Sequence, residues 1–179
     1  GISADQVDIG TTVLGSRWKV PFYINAMTGG TQATAAINAH LAEAAADAGV
    51  AIACGSVHVA LHDPERADGF RVIRRRAPGA FVLANVGPTV SPQEAAQAVE
   101  MLQANALQIH LNAAQELVMP EGDRDFTGWS ETIAAIAAAV PVPVVVKEVG
   151  FGLSRRTIEA LARTGIAAVD VAGAGGTDF

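Results

Sequence analysis

The stretch QIHLNAAQE, Gln108 to Glu116, puts His110, Asn112, Gln115 and Glu116 within a few residues of each other, directly after the apolar start of ALQIHLN. Alternate residues of a strand share a face, so Gln108, His110 and Asn112 point one way if ALQIHLN is extended. A satisfied polar network would explain such a row, and so would the wall of a polar site. Gln115 and Glu116, following at once, favour the site. Glu116 offers one hard oxygen ligand for a cation such as Mg²⁺, provided that phosphate oxygens and water complete the shell.

Lys147 follows PVVV in a second apolar run. An ammonium there is costly unless it is paired or matched to an anion. A salt bridge to Glu148 or a neighbouring carboxylate satisfies it. So does a negatively charged ligand: a flavin N1–C2=O edge, a phosphate or an enolate. His58 lies just past an earlier strand and is a third candidate, whereas His40 and His62 read as surface residues. The histidines are scattered and Cys54 is alone, so a His/Cys metal cluster is not supported. Cys54, in AIACGS, reads as a reduced core thiol, which suits a reducing cytoplasm. The acidic loop PEGDRDF, Pro120 to Phe126, reads as a rigid loop held by Arg124–Asp pairing, or as a lid.

These residues need elements to hold them. PFYINAM (21–27), AIACGS (51–56), FVLANVG (81–87), ALQIHLN (106–112), PVVVKEV (143–149) and AAVDVAG (167–173) are near-continuous apolar runs. That is the pattern of parallel strands covered on both faces. Helical patterns separate them: 33–48 closed by Gly49, a helix opened by Asp63-Pro64 and ending near Arg76, one opened by Ser91-Pro92-Gln93-Glu94, one over 130–139 after a longer loop, and one capped by Ser154. The alternation demands right-handed parallel crossovers. Glycines, amides, His110 and Lys147 recur at the carboxyl ends of all six strands. An open doubly wound sheet gathers ligands at one switch point, whereas a (β/α)8 barrel gathers every strand end around one axis. The expected fold is therefore a (β/α)8 TIM barrel, with about six of its eight strands present. Residues 1–20 form an N-terminal hairpin region that plugs the bottom of the sheet, and residues 21–179 form the partial barrel of a single domain. The chain starts at Gly1 without Met and stops at GAGGTDF, so further residues are expected at both ends.

Composition narrows the function classes. The 179 residues are 50% hydrophobic and 17% charged, with a net charge of −6. That is a rich core and an acidic balance, against a nucleic-acid surface. The basic run RVIRRR (71–76) reads as a solvated helix end favoured by the helix dipole. The longest apolar stretch, AAIAAAVPVPVVV, is short and broken by Pro141 and Pro143, so no membrane span is expected.

The strings PFYINAMTGG, QIHLNAAQELVMPEGDRDF, VVVKEVGFGLSRRTIEAL and VDVAGAGGTDF closely resemble the type 2 isopentenyl diphosphate isomerases, across essentially the whole chain. The resemblance implies an FMN-dependent (β/α)8 barrel enzyme of isoprenoid biosynthesis. Such an enzyme interconverts isopentenyl and dimethylallyl diphosphate by adding a proton to one carbon and removing one from another, with no net redox change. It implies FMN kept reduced by NADPH, Mg²⁺, a cytoplasmic location and a homo-oligomer, commonly a tetramer. Carried over residue by residue, Ala26, Met27, Thr28, Ser56 and Asn85 contact FMN, Lys147 stabilises the anionic reduced flavin and Thr177 lies near its phosphate. Gln115 contacts substrate beside the flavin and takes part in proton transfer, His110 and Asn112 line the substrate pocket, and Glu116 holds Mg²⁺. Where the family commonly carries Gln-Arg to bind the diphosphate, this chain has Val57 and His58, so His58 is the candidate there. The family's basic N-terminal segment and its later glycine-rich phosphate loops have no counterpart in these residues. Two rival readings stand beside this one: an FMN barrel oxidoreductase acting on a hydroxy acid, and a non-catalytic half-barrel that pairs its open edge with another copy.

Overall fold

The computed structural model describes residues 1–173. A short antiparallel hairpin, β1 (Thr11–Val13) and β2 (Ser16–Trp18), opens the chain. Its turn uses Leu14 and Gly15 at φ 49° and 78°. Then come β3 (Tyr23–Ile24), α1 (Gln32–Ala48), β4 (Ala51–Ala53), α2 (His58–His62), α3 (Asp68–Arg76), β5 (Val82–Val86), α4 (Pro92–Leu102), β6 (Ala106–Leu111), α5 (Ala113–Val118), α6 (Trp129–Ala139), β7 (Val144–Glu148), α7 (Arg155–Leu161) and β8 (Ala168–Asp170). Strands β3 to β8 form one sheet in chain order, every neighbouring pair parallel.

Local chemistry explains most boundaries. The Thr31 hydroxyl accepts the Thr34 N–H at the start of α1, and Gly49 ends that helix in the left-handed region at φ 66°. Ser91 and Glu94 form a reciprocal capping box on α4, with Pro92 in the first turn. Ser154 caps α7 through the Thr157 N–H.

Three expectations need correction. Asp63-Pro64 opens only a 3-10 turn over Pro64–Arg66, and α3 begins separately at Asp68. The region after β6 is not all loop, because α5 carries both Gln115 and Glu116. RVIRRR is not simply a solvated helix end. The Arg74 guanidinium donates to the carbonyls of Leu102, Gln103, Pro78 and Ala80 and to Asn105 Oδ1, and so ties α3 to the end of α4.

Strands β4 to β7 bury both faces, and alternation sorts their side chains. Ile52, Val82, Ala84, Leu107, Ile109, Val144 and Val146 belong to the large core under the helices. Ala53, Leu83, Ala106 and Val145 belong to a smaller cluster on the opposite, interior face, packed against Leu14 of the hairpin turn, Tyr23, Phe81 and Ala168. Trp18 adds an edge-on contact to Tyr23 and a tilted one to Phe81. The first hairpin thus covers the amino-terminal end of the interior. Two residues beyond Tyr23, Leu83, Ala106, Val145 and Ala168 the interior position is polar (Asn25, Asn85, Gln108, Lys147 and Asp170), and two beyond Ala53 it is Gly55; that change of chemistry positions the site.

Candidate functional site

Parallel register sets the polar residues side by side. Asn85 pairs with Gln108, and His110 pairs with Lys147, which pairs with Asp170. Since Ala106 lies in the interior cluster, Gln108 and His110 follow it onto that face at period two. The strand ends at Leu111, so Asn112 departs from the expected row. It precedes α5, and its amide donates to Glu116 Oε1 at 2.6 Å.

Two clefts open at the carboxyl ends, with α5 contributing to both. The first, about 490 Å³, is lined by Asn25, Ala26, Met27, Gln115, Lys147, Gly150 and Gly173 among others. The second, about 590 Å³, is lined by Ser56, His58, Gly87, His110, Glu116, Asp123 and Trp129 among others. Four candidates therefore meet in one cleft (Ala26, Met27, Gln115 and Lys147) and four in the other (Ser56, His58, His110 and Glu116). Thr28 lines neither. Its hydroxyl donates to Asn38 Oδ1 at the base of α1. Asn85 lies beneath the clefts, 2% exposed. Thr177 falls outside the described residues. A larger groove of about 870 Å³ lies on the outer helical surface between α3 and α4. No polar strand end reaches it, and nothing connects it to this chemistry.

Lys147 is 6% exposed, and its Nζ donates to the Glu148 carbonyl at 2.8 Å. Of the two alternatives for Lys147, the salt bridge to the Glu148 carboxylate does not form. Glu148 Oε2 instead accepts the backbone N–H groups of Gly150, Phe151 and Gly152 at 2.6–2.8 Å and shapes the β7–α7 loop. Among the described residues Lys147 makes no ion pair within salt-bridge distance. Burial lowers its pKa, while the charges of Asp170 and Glu148 push it back up. A buried cation at a cleft wall without a close carboxylate partner suits an anionic ligand.

Glu116 is held on both oxygens: Oε1 accepts from Asn112, and Oε2 accepts the Asp123 N–H at 2.7 Å. Each oxygen keeps lone-pair capacity for a cation. Arg124 does not pair with an aspartate as expected. It donates to the carbonyls of Glu116, Met119, Gly122 and Asp123, wrapping the acidic loop around the end of α5. Gly122 is needed at that wrap, because a Cβ there would lie 1.9 Å from the Glu116 carbonyl oxygen. Among the described residues no group of three or more His, Cys, Asp or Glu could hold a metal. A hard cation at Glu116 would need further oxygen ligands beyond this carboxylate, and Glu121 and Asp123 line the same cleft.

The β4 end is shaped by a close approach. A Cβ on Gly55 would stand 1.8 Å from the Thr28 carbonyl oxygen. Replacing Gly55 with Ala is expected to force the NAMTGG turn off β4 and destabilise the fold by about 1–3 kcal/mol, read as a fall in the urea midpoint at unchanged m-value. Cys54, just before it, is buried against the helices, and burial pushes its thiol up to about 12. It is a core residue rather than a nucleophile.

His110 has its pKa lowered to about 4, first by burial and then by the Lys147 ammonium, against smaller opposing effects that include Glu116 and the Val86 carbonyl. The folded value lies below the unfolded value of about 6.5. The unfolded chain therefore binds the extra proton first, and stability present above about pH 6.5 is lost as pH falls towards 4. The loss is on the order of 3 kcal/mol. Urea titrations across that range should slope downward in the parent chain. In His110→Gln the slope should flatten; an unchanged slope would remove His110 as its source.

Sequence reasoning missed Tyr23, Asp170, Asp123 and Trp129. The signal for two of them was available: Tyr23 is the period-two neighbour of Asn25, and Asp170 is the one carboxylate in the apolar run AAVDVAG.

Six parallel strands in chain order, helices on one face and polar groups at the carboxyl ends make a partial (β/α)8 barrel. Solved structures agree with this fold. A mandelate oxidase with an FMN adduct superposes with TM-score 0.61 at 17% identity, covering 93% of this chain and 51% of that one. An aldolase, QR15, superposes at 0.57 and 15% identity, covering 87% and 68%. No family model matches the chain. Among curated proteins it is similar to isopentenyl-diphosphate delta-isomerases: 56% identical over all 179 residues to that of Kitasatospora griseola, 53% to that of Streptomyces sp. (strain CL190), and 55% over 174 residues to that of Symbiobacterium thermophilum. The chain spans about half the length of these relatives, 48–49%.

Proposed function

We propose that this chain is the strand-end half of an FMN-dependent isomerase that interconverts isopentenyl and dimethylallyl diphosphate. The observation that carries the reading is the pairing of two clefts through α5. Gln115 faces the cleft of the buried Lys147, and Glu116 faces the cleft of His58 and His110. A flat anionic cofactor suits the first. A diphosphate with a hard cation suits the second.

In this reading Lys147 would hold the anionic edge of the reduced flavin, with Ala26 and Met27 in the same cleft. The flavin contacts that the resemblance implies for Thr28, Ser56 and Asn85 do not fall in that cleft, and the role of Thr177 near the phosphate rests on the resemblance alone. Reduced FMN, regenerated by NADPH, supplies proton-transfer chemistry next to the substrate double bond. Glu116 would hold Mg²⁺, which would supply positive charge to offset a diphosphate, and His58 would stand at the corner that the resemblance assigns to Gln-Arg. Gln115 orients the allylic carbons and handles a proton there, while Asn112 keeps the Glu116 carboxylate aimed by its 2.6 Å hydrogen bond. His110 closes the pocket wall. A homo-oligomer, a tetramer by resemblance, and a reducing cytoplasm, consistent with the buried single Cys54, complete the proposal. No helix among the described residues is long and apolar enough to cross a membrane.

The test is to incubate the full chain with FMN, NADPH, Mg²⁺ and isopentenyl diphosphate and to follow the dimethylallyl product. Turnover supports the isomerase. Bound flavin without turnover, together with oxidation of a hydroxy acid, favours the oxidoreductase reading instead.

A further inference from the structure

A continuous hydrogen-bond chain crosses the barrel interior beneath the clefts, and one end of it has a fixed polarity. The Asp170 carboxylate can only accept. The Tyr23 hydroxyl, 2.7 Å from Asp170 Oδ2, must therefore donate to it. That leaves the Tyr23 oxygen as an acceptor, so the Gln108 atom 3.1 Å away is the amide nitrogen. A second path demands the same orientation. Asn25 Nδ2 donates to Asp170 Oδ2 at 3.3 Å, and Asn25 Oδ1 accepts from Gln108 Nε2 at 3.3 Å and from the Ala26 N–H at 2.8 Å.

Gln108, fully buried, then turns Oε1 towards Asn85 and accepts from its Nδ2 at 2.9 Å. Asn85 has no choice left: its Oδ1 faces His110 Nδ1 at 2.9 Å, and that nitrogen must carry the proton. We infer that Asp170, acting through Tyr23, Asn25, Gln108 and Asn85, fixes His110 as the Nδ1–H tautomer, so that Nε2 meets the cleft as a hydrogen-bond acceptor. Asp170, Gln108 and Asn85 are thus positioning residues. The Cε1–Nε2 edge of the ring lies 3.6 Å from where a Gly87 side chain would start, and both residues line the cleft. A bare lone pair there accepts from a water or a protonated group, or ligates a cation. It repels a phosphate oxygen, and so directs the diphosphate towards Glu116-bound cation and His58 instead.

The inference rests on the proposed cleft only for its consequence; the tautomer itself is readable without flavin or substrate. Long-range ¹H–¹⁵N spectra of the full chain labelled with ¹⁵N-histidine distinguish the two tautomers, with His110 assigned through His110→Gln. At neutral pH His110 should give the single Nδ1–H pattern. Tyr23→Phe should leave it unchanged, because the Asn25 path persists. Gln108→Met, which cuts Asn85 from its anchor, should give a mixture of tautomers. Gln108→Glu should restore the single pattern, because its carboxylate still accepts from Asn85. The competing acceptor is the Val86 carbonyl near the ring. A His110 Nε2–H signal in the parent chain overturns the inference, as does an unmixed Nδ1–H pattern in folded Gln108→Met. If the tautomer is as stated and no isomerisation occurs, only the proposed function fails.

Discussion

Glu116→Gln is expected to raise the Mg²⁺ concentration for half-maximal isomerisation by roughly 100-fold, while FMN affinity stays nearly unchanged. Changing a group that merely orients a metal ligand costs about 10–100-fold in metal affinity or activity, and Glu116 is the proposed direct ligand. There is a structural contribution too. Both oxygens of Glu116 accept, one from Asn112 and one from the Asp123 N–H. A glutamine must turn its own NH₂ towards one of these donors, so one of the two hydrogen bonds, from Asn112 or from Asp123, is lost. Mg²⁺ titration of activity and flavin fluorescence titration together check the claim. Lost flavin binding in this variant would contradict the metal role, because Glu116 faces the other cleft.

Lys147→Met is expected to do the opposite. FMN affinity should fall by about 10–100-fold, the equivalent of a charge-assisted hydrogen bond of about 1.5–3 kcal/mol. Thermal stability should hold or rise slightly. The ammonium is buried, its pKa is lowered chiefly by that burial, and among the described residues it makes no ion pair, so removing it relieves a desolvated charge. The two variants therefore separate the clefts: Glu116 moves the metal and spares the flavin, and Lys147 moves the flavin. A fall in melting temperature with unchanged FMN affinity would make Lys147 a structural residue.

Much of the architecture was legible because the local chemistry is strong. The apolar runs around Ile52, Leu83, Ile109 and Val146 announced buried parallel strands, and Gly49, Ser91 with Glu94, and Ser154 marked helix ends that the structure reproduces. Strand 21–27 shrank to Tyr23–Ile24 because Asn25 turns its side chain onto the next backbone N–H and into the interior network. Helix α5 was hidden because its six residues are too few to show a period. Arg124 was misjudged because the carbonyls that receive it converge only once the loop is wound. The least legible feature was the Tyr23–Asp170 pair. It joins residues 147 positions apart on the two outer strands of the sheet, and no local pattern reports a contact across a barrel interior. Of the candidate site, the residue types at strand ends were readable; their division between two clefts was not, because it depends on how α5 sets Gln115 and Glu116 on different sides.

The central claim is proton addition and removal without net redox change. Its most direct test is to run the full chain with FMN, Mg²⁺ and isopentenyl diphosphate in D₂O with a trace of NADPH, and to follow deuterium by NMR. The account predicts deuterium entering the dimethylallyl product, with NADPH consumed only to reduce the flavin at the outset. Unlabelled product, or NADPH consumed once per turnover, would contradict it.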